Sequence, residues 1–245
     1  MSPLLTSLIV FASVFGGALF GIFLHFRLPE PHLASDTKDV VRLAMGLVAT
    51  TVALALGLLI NSAKGFYDTQ NTEIAQLAAN SVVLDRLLAH YGPDAIDARH
   101  TLLAAVSGFN HLTLGQTGAQ STAQAESLLE VIQDLSPQTD NQRSLKTQAL
   151  GVAIQMGQTR WMMFEQRAVP VPVILVAVLV FWLIALFVSF GVFAKPNATL
   201  VVGLLVSSFA VSAAIFLIIE MYHPYTGLIQ VSSEPIRVAM AQLGH

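Results

Sequence analysis

Apolar residues crowd into four runs, and the polar residues between them keep helical spacing. The runs are about Leu4 to Phe26, Leu43 to Ile60, Val169 to Ala194 and Ala198 to Ile219. Each is long enough, and poor enough in charge, to cross a hydrocarbon core of about 30 Å as a helix. The second run does not stop where a membrane would. From Asp36 to Tyr91 there is no proline, and firm punctuation comes only at Gly92-Pro93, a C-terminal glycine followed by a residue that cannot continue a helix. One helix over that stretch reaches roughly 84 Å at about 1.5 Å per residue. A helical stalk therefore projects from one membrane face.

Two stripes run along this helix. Ile74, Leu77, Ser81, Leu84 and Leu88 recur at steps of three and four and form an apolar seam. Asn61, Lys64, Asp68 and Asn71 recur at the same steps and form a polar seam, which extends backward through Gly57, Leu54 and Thr50. Residues three and four apart share one helix face. The polar seam has two readings. It is the solvated face of a stalk that begins where the lipid ends, or it lines a water-filled path where copies of the helix meet. Polar side chains at membrane depth face a bundle interior or an aqueous cavity.

The remaining elements follow in order. Gly17-x-x-x-Gly21 in the first span is a small-residue spacing that permits close helix approach. Pro29 and Pro31 suit an extended loop, and Ser35 or Asp36 is placed to cap the second helix. After the stalk, Asp94 to Leu114 reads as an amphipathic helix, and GQTGAQS as a flexible turn. Ser121 with Gln124 forms a capping-box start for a helix to about Leu135. Ser136-Pro137 breaks it, and Thr139 or Asp140 caps another long helix to about Arg167. Pro170 suits the start of the third span, and Pro172 marks either that start or a kink between stalk and membrane. Lys195-Pro196-Asn197 turns the chain into the fourth span. Ser232 or Ser233 caps a final short helix with Pro235 in its first turn.

The fold class is therefore all-α, an integral membrane protein with four transmembrane helices. A long helical stalk and an extramembrane helical bundle lie between spans two and three. The expected parts are 1–63 (spans one and two), 64–167 (extramembrane), 168–222 (spans three and four) and 223–245 (tail). The first span lacks a basic n-region and is longer than a usual signal h-region, so it reads as an anchor. Four spans put both termini and the middle segment on one side. Basic residues near the span ends are nearly balanced, with a lean towards a cytoplasmic middle segment.

Composition narrows the function. The chain is 54% hydrophobic and 11% charged, against about 25% charged in a typical soluble domain. Mean hydropathy is +0.67. A net charge of −3 with no Lys/Arg cluster gives no nucleic-acid footprint. Without cysteine there are no disulfides, thiolate catalysis or cysteine metal sites. His25 and His32 lack metal-ligand partners at a helical spacing, and His90 and His100 flank a turn and face solvent. No phosphate loop, zinc-protease or nucleophile-elbow pattern occurs. No catalytic residue, cofactor or metal site is expected.

The tail EMYHPYTGLIQVSSEPIRVAMAQL is the most specific local stretch. Glu220, at the end of the fourth span, is either an interfacial carboxylate or an ion-site or gating group. His223 before Pro224 reads first as part of a turn and second as a pH-sensing group.

Three stretches carry a family resemblance. They are TTVALALGLLINSAKGFYDTQNTEIAQLAANSVVLDRLLAHYGPDA, the pair Ala98-Arg99, and the tail, where P-[FY]-x-G-x-x-x-V-S-x-x-P maps onto Pro224, Tyr225, Gly227, Val231, Ser232 and Pro235. Together they resemble the bacterial bestrophin-like membrane proteins, an inner-membrane family of unknown function. One departure stands out: Tyr222 occupies a position that is usually acidic in that family, whereas Glu220 matches the other acidic position. The resemblance implies a likeness to bestrophins, pentameric anion channels with a central pore. No aromatic pore neck or calcium-binding acidic cluster is legible, so anion selectivity does not follow.

The expectation is a homo-oligomer in membrane lipid, pentameric by analogy, that forms an ion channel in the bacterial inner membrane. Its lining would be Thr50, Leu54, Gly57, Asn61, Lys64, Asp68 and Asn71, with Glu220 and His223 as gating or ion-site groups. Pro224, Gly227, Ser232 and Pro235 would be a structural tail motif. The rival is a non-conducting membrane scaffold or signalling protein that binds a partner through its extramembrane helices.

Overall fold

The computed structural model describes residues 2–29, 35–112, 118–166, 172–225 and 227–243. Among them all regular structure is helical: α1 (Pro3–His25), α2 (Ser35–Tyr91), α3 (Ile96–Leu112), α4 (Gly118–Gln133), α5 (Asp140–Gln166), α6 (Val173–Phe193), α7 (Ala198–Met221) and α8 (Glu234–Gln242). Helices α1, α6, α7 and a stretch of α2 are long and apolar enough to cross a membrane. The chain divides into two compact units, Met1–Phe66 with Pro170–His223, and Tyr67–Val169 with Pro224–His245.

In the spanning unit, α1 lies against α6 in one parallel register. Gly17 meets Ile184, Gly21 meets the Val188 backbone, and His25 Nδ1 donates to the Val192 carbonyl at 2.7 Å, each pair 167 residues apart. A Cβ added at Gly21 would overlap the Val188 carbonyl, and one at Gly191 would overlap the Ala18 carbonyl. The Gly17-x-x-x-Gly21 spacing is thus a packing seam, and Gly191 is its counterpart on α6. Without hydrophobic drive between helices in lipid, such close backbone approach supplies the packing attraction. Val10, Val14 and Ala18 are buried beside Leu179, Leu183, Leu186 and Phe187. Val52, Leu59 and Ala63 bring one face of α2 into the same core.

In the second unit, the expected seam Ile74, Leu77, Ser81, Leu84 and Leu88 is buried throughout. It packs with Ala98, Leu102 and Val106 of α3, Leu128 and Ile132 of α4, Ala149 and Ala153 of α5, and Ile236 and Ala239 of α8. Small alanines at these contacts allow close helix packing. Asp85, 3% exposed at its side chain, receives Arg99 Nε at 2.8 Å and Nη2 at 3.1 Å, a bidentate lock between α2 and α3. The Ala98-Arg99 pair therefore has one residue in the core and one on this carboxylate.

Helix ends follow local chemistry. Gly92 takes φ of 119° after α2, a conformation that favours glycine. Thr139 caps α5: its Oγ1 accepts from Gln142 N at 3.2 Å, while Gln142 Oε1 accepts from the Thr139 and Gln138 amides. Lys146 Nζ donates to the Gln133 and Leu135 carbonyls at 2.7 and 2.8 Å, satisfying the end of α4.

Several boundaries differ from expectation. Helix α4 starts at Gly118, so Ser121 sits inside it and the second half of GQTGAQS is helical; Ala119 and Gln120 are good helix formers. The segment Pro93–Ala95 is a tight 3-10 turn, so α3 starts at Ile96 rather than Asp94. Pro172 stands at the cap of α6, and the junction between stalk and membrane where a kink was the alternative lies outside the described residues. Of the two serines expected to cap α8, Ser233 makes no side-chain cap bond, and Ser232 Oγ accepts from Glu234 N at 3.2 Å, as the first alternative had it. The expected boundaries at Leu114, Arg167, Val169 and Pro170 lie outside the described residues.

Two predictions follow from this packing. Gly21→Ala should cost about 1–3 kcal/mol by overpacking, read as a lower thermal midpoint in detergent. Gly16→Ala, where an added Cβ meets nothing within 4 Å, should leave that midpoint unchanged. Asp85→Asn should cost about 3 kcal/mol, the low end for a broken buried pair because Arg99 is 24% exposed. Denaturant unfolding of the full chain would measure it, and an unchanged midpoint would refute the lock.

Candidate functional site

The residues expected to line a path occupy one face of α2. Thr50, Leu54, Gly57, Asn61 and Lys64 are all exposed in the spanning unit, Leu54 by 67%. Asp68 and Asn71 are exposed in the second unit. At 100° per residue the seven fall within about 100° of each other around the helix. The buried residues Val52, Leu59, Ala63, Gln70 and Leu77 lie on the opposite side. The steps alternate four and three, a seven-residue repeat held for three repeats. A repeat of 3.5 residues per turn is the spacing of helices that meet along a common seam.

The helix keeps its hydroxyls from disturbing this face. Thr50 Oγ1 donates to the Gly46 carbonyl at 2.9 Å, and Thr72 Oγ1 to the Asp68 carbonyl at 2.8 Å. Gly57 presents no side chain, and an added Cβ there would meet nothing within 4 Å.

Glu220 and His223 sit at the end of α7, away from this face in sequence. Glu220 is buried, 2% exposed, beside Ile218 and Ile219. His223 Nδ1 donates to the Ile219 carbonyl at 2.8 Å, which folds the ring back on its own helix. Tyr222, the departure from the family pattern, stacks on Phe66 with centroids 5.5 Å apart, and its hydroxyl lies 3.3 Å from Ser62 Oγ. The aromatic ring thus ties α7 to α2 where a carboxylate would be expected.

The tail motif forms a loop on the stalk part of α2. Pro224 is buried, and its carbonyl accepts from Val231 N at 3.0 Å. Tyr225 donates its hydroxyl to Gln70 Oε1. Tyr67 donates to the Gln230 carbonyl at 3.1 Å, and Gln230 Nε2 donates to the Gly227 carbonyl at 3.0 Å. Ser232 and Pro235 lie at the start of α8, whose Ile236 and Ala239 enter the core. Sequence reasoning did not single out Tyr67, Gln70, Tyr225 or Gln230 as a set. The signal was a glutamine on the buried side of a stalk, a position that requires a polar partner.

Two further groups in the second unit are electrostatically constrained. The hydrogen bond to Asp85, opposed by burial and aided by charge attraction, raises Arg99 above its usual pKa. Burial alone lowers Arg160 on α5 to about 10. Among the described residues, no three His, Asp or Glu side chains converge to hold a metal ion. The arrangement offers a polar helix face and a buried carboxylate.

Solved structures give the fold. The chain is similar to three single-substitution variants of a bacterial bestrophin homologue from Klebsiella pneumoniae. One is 12% identical with a TM-score of 0.72, over 96% of this chain and 97% of that one. The second is 11% identical with a TM-score of 0.71, over 97% of each chain. The third is 12% identical with a TM-score of 0.68, over 94% of this chain and 97% of that one. Among curated protein sequences, none matches. Residues 12–236 match the Bestrophin-like domain, so the two-unit, four-span helical chain described above belongs to the bestrophin-like family.

Proposed function

We propose that this chain is one subunit of a homo-oligomeric ion channel in the bacterial inner membrane, lined by copies of α2. The carrying observation is the exposure of Thr50, Leu54, Gly57, Asn61, Lys64, Asp68 and Asn71 on the face opposite the buried seam. The face turns polar at Asn61, Lys64 and Asp68 where the apolar run ends, and polar or charged groups at that depth are relieved when several copies turn them towards a common aqueous axis. One subunit's four spans enclose little room for a conduit, so the axis lies between subunits. Family membership and the bestrophin-like fold favour this reading. Five copies follow from the bestrophin resemblance, and the middle helices and both termini face the cytoplasm in this account.

Each residue has a role in the proposal. Leu54 is the apolar constriction in an otherwise small or polar row. Lys64 and Asp68 place both signs of charge along the path, so no ion is selected by charge alone. Glu220 and His223 are the gating groups, acting from the end of α7. Pro224, Gly227, Ser232 and Pro235 hold the tail loop against the stalk.

The rival reading is a non-conducting scaffold. It is favoured by the exposed Trp161, Met162 and Phe164 near the end of α5, which offer apolar surface to a partner.

Flux through full-length protein in liposomes separates the two. Lys64→Glu should move the reversal potential towards cation preference; unchanged reversal with intact flux would remove α2 as the lining. Glu220→Gln should alter the pH dependence of flux in protein that still folds. Superimposable pH profiles would reduce Glu220 to a packing residue. No flux across pH, calcium and voltage would favour the scaffold.

A further inference from the structure

A cleft of about 820 Å³ opens in the spanning unit where α2 begins, α6 ends and α7 begins. Its size falls within the roughly 300–1,000 Å³ of small-ligand sites. Three cations line it: Lys38 and Arg42 near the start of α2, and Lys195 in the turn between α6 and α7. No Asp or Glu is among its described lining residues. Asp39 pairs with Arg42 at 3.6 Å, but with side chains 70% and 77% exposed that pair is largely screened by water.

The cleft changes character with depth. Roughly 4–10 Å along the helices from the cations, its walls become Met45 of α2, Phe190 of α6 and Leu204 of α7. Open space lies over Gly203 of α7, where an added Cβ would meet no heavy atom within 4 Å. Cations at the end of the spans and apolar walls towards their middle match the order of groups in a lipid leaflet, phosphate outside and acyl chain inside.

We propose that this cleft binds one anionic phospholipid from the surrounding leaflet. Lys38, Arg42 and Lys195 hold its phosphate, and Met45, Phe190 and Leu204 receive the start of its acyl chains. A soluble phosphate would satisfy the cations and leave the apolar wall wet. A zwitterionic lipid would cover the wall and bring a compensating cation to three existing ones. An anionic phospholipid satisfies both halves. The site depends only on the membrane spans and stands whether or not the chain conducts.

The test uses full-length protein in neutral detergent. Native mass spectrometry and the thermal midpoint are followed during titration with phosphatidylglycerol, phosphatidylcholine of the same acyl chains, and glycerol 3-phosphate. Phosphatidylglycerol should be retained at one per subunit and raise the midpoint at lower concentration than phosphatidylcholine, and glycerol 3-phosphate should have no effect. Lys38→Gln, Arg42→Gln and Lys195→Gln should each weaken the phosphatidylglycerol response roughly fivefold. Gly203→Leu should displace both lipids with all three cations in place. Equal responses to the two lipids would overturn the proposal, as would a full response to glycerol 3-phosphate. It would also fall if the glutamine variants changed the mass of the assembly and not the number of bound lipids, because the cleft would then be a contact between copies.

Discussion

A helix that runs unbroken from Ser35 to Tyr91 must meet lipid, water and two cores with one set of side chains. It does so by dividing its circumference. Val52, Leu59 and Ala63 enter the core of the spanning unit, and Ile74, Leu77, Leu84 and Leu88 enter that of the second unit. The opposite face carries Thr50, Asn61, Lys64 and Asp68 and is left exposed by the chain itself. Within the apolar run this face is Thr50, Leu54 and Gly57, and it turns fully polar only at Asn61, Lys64 and Asp68, just past Ile60. That exposed change from apolar to polar along one face is what supports the proposed lining.

The other elements keep α2 in position. The α1–α6 register holds through Gly21 and Gly191, where backbone meets backbone and no side chain fits. In the second unit the Asp85–Arg99 lock and the Tyr67, Gln70 and Tyr225 contacts hold the buried side of the stalk. These bonds use directional polar groups on the side of α2 that is already covered. They fix which side of the stalk is covered within that unit.

Much of this was legible in the residues, and the reasons differ by element. Long apolar runs and the absence of proline from Asp36 to Tyr91 forced four spans and one stalk, because no competing structure satisfies the backbone in lipid. The seam from Ile74 to Leu88 was legible because helical periodicity is strict there. The start of α4 was misplaced because Ser121 carries a capping signal that Ala119 and Gln120 override by extending the helix upstream. The tail loop was visible as a motif, but its partners were not: Gln70 and Tyr225 are 155 residues apart, and no local rule joins them. The cationic cleft was equally hidden, since Lys38, Arg42 and Lys195 count singly as charges near span ends until the helices bring them to one place.

The most direct measurement uses the absence of cysteine in the chain, which makes any introduced thiol the sole one. Single replacements Leu54→Cys, Gly57→Cys and Asn61→Cys, with Val52→Cys and Leu59→Cys as buried counterparts, would be treated with a charged, membrane-impermeant thiol reagent in liposomes. A pore-lining face should show rapid modification of the first three, with block of flux, and protection of the last two. Protection of the Leu54, Gly57 and Asn61 positions from the aqueous reagent, with flux unaffected, would contradict it and leave that face of α2 to lipid.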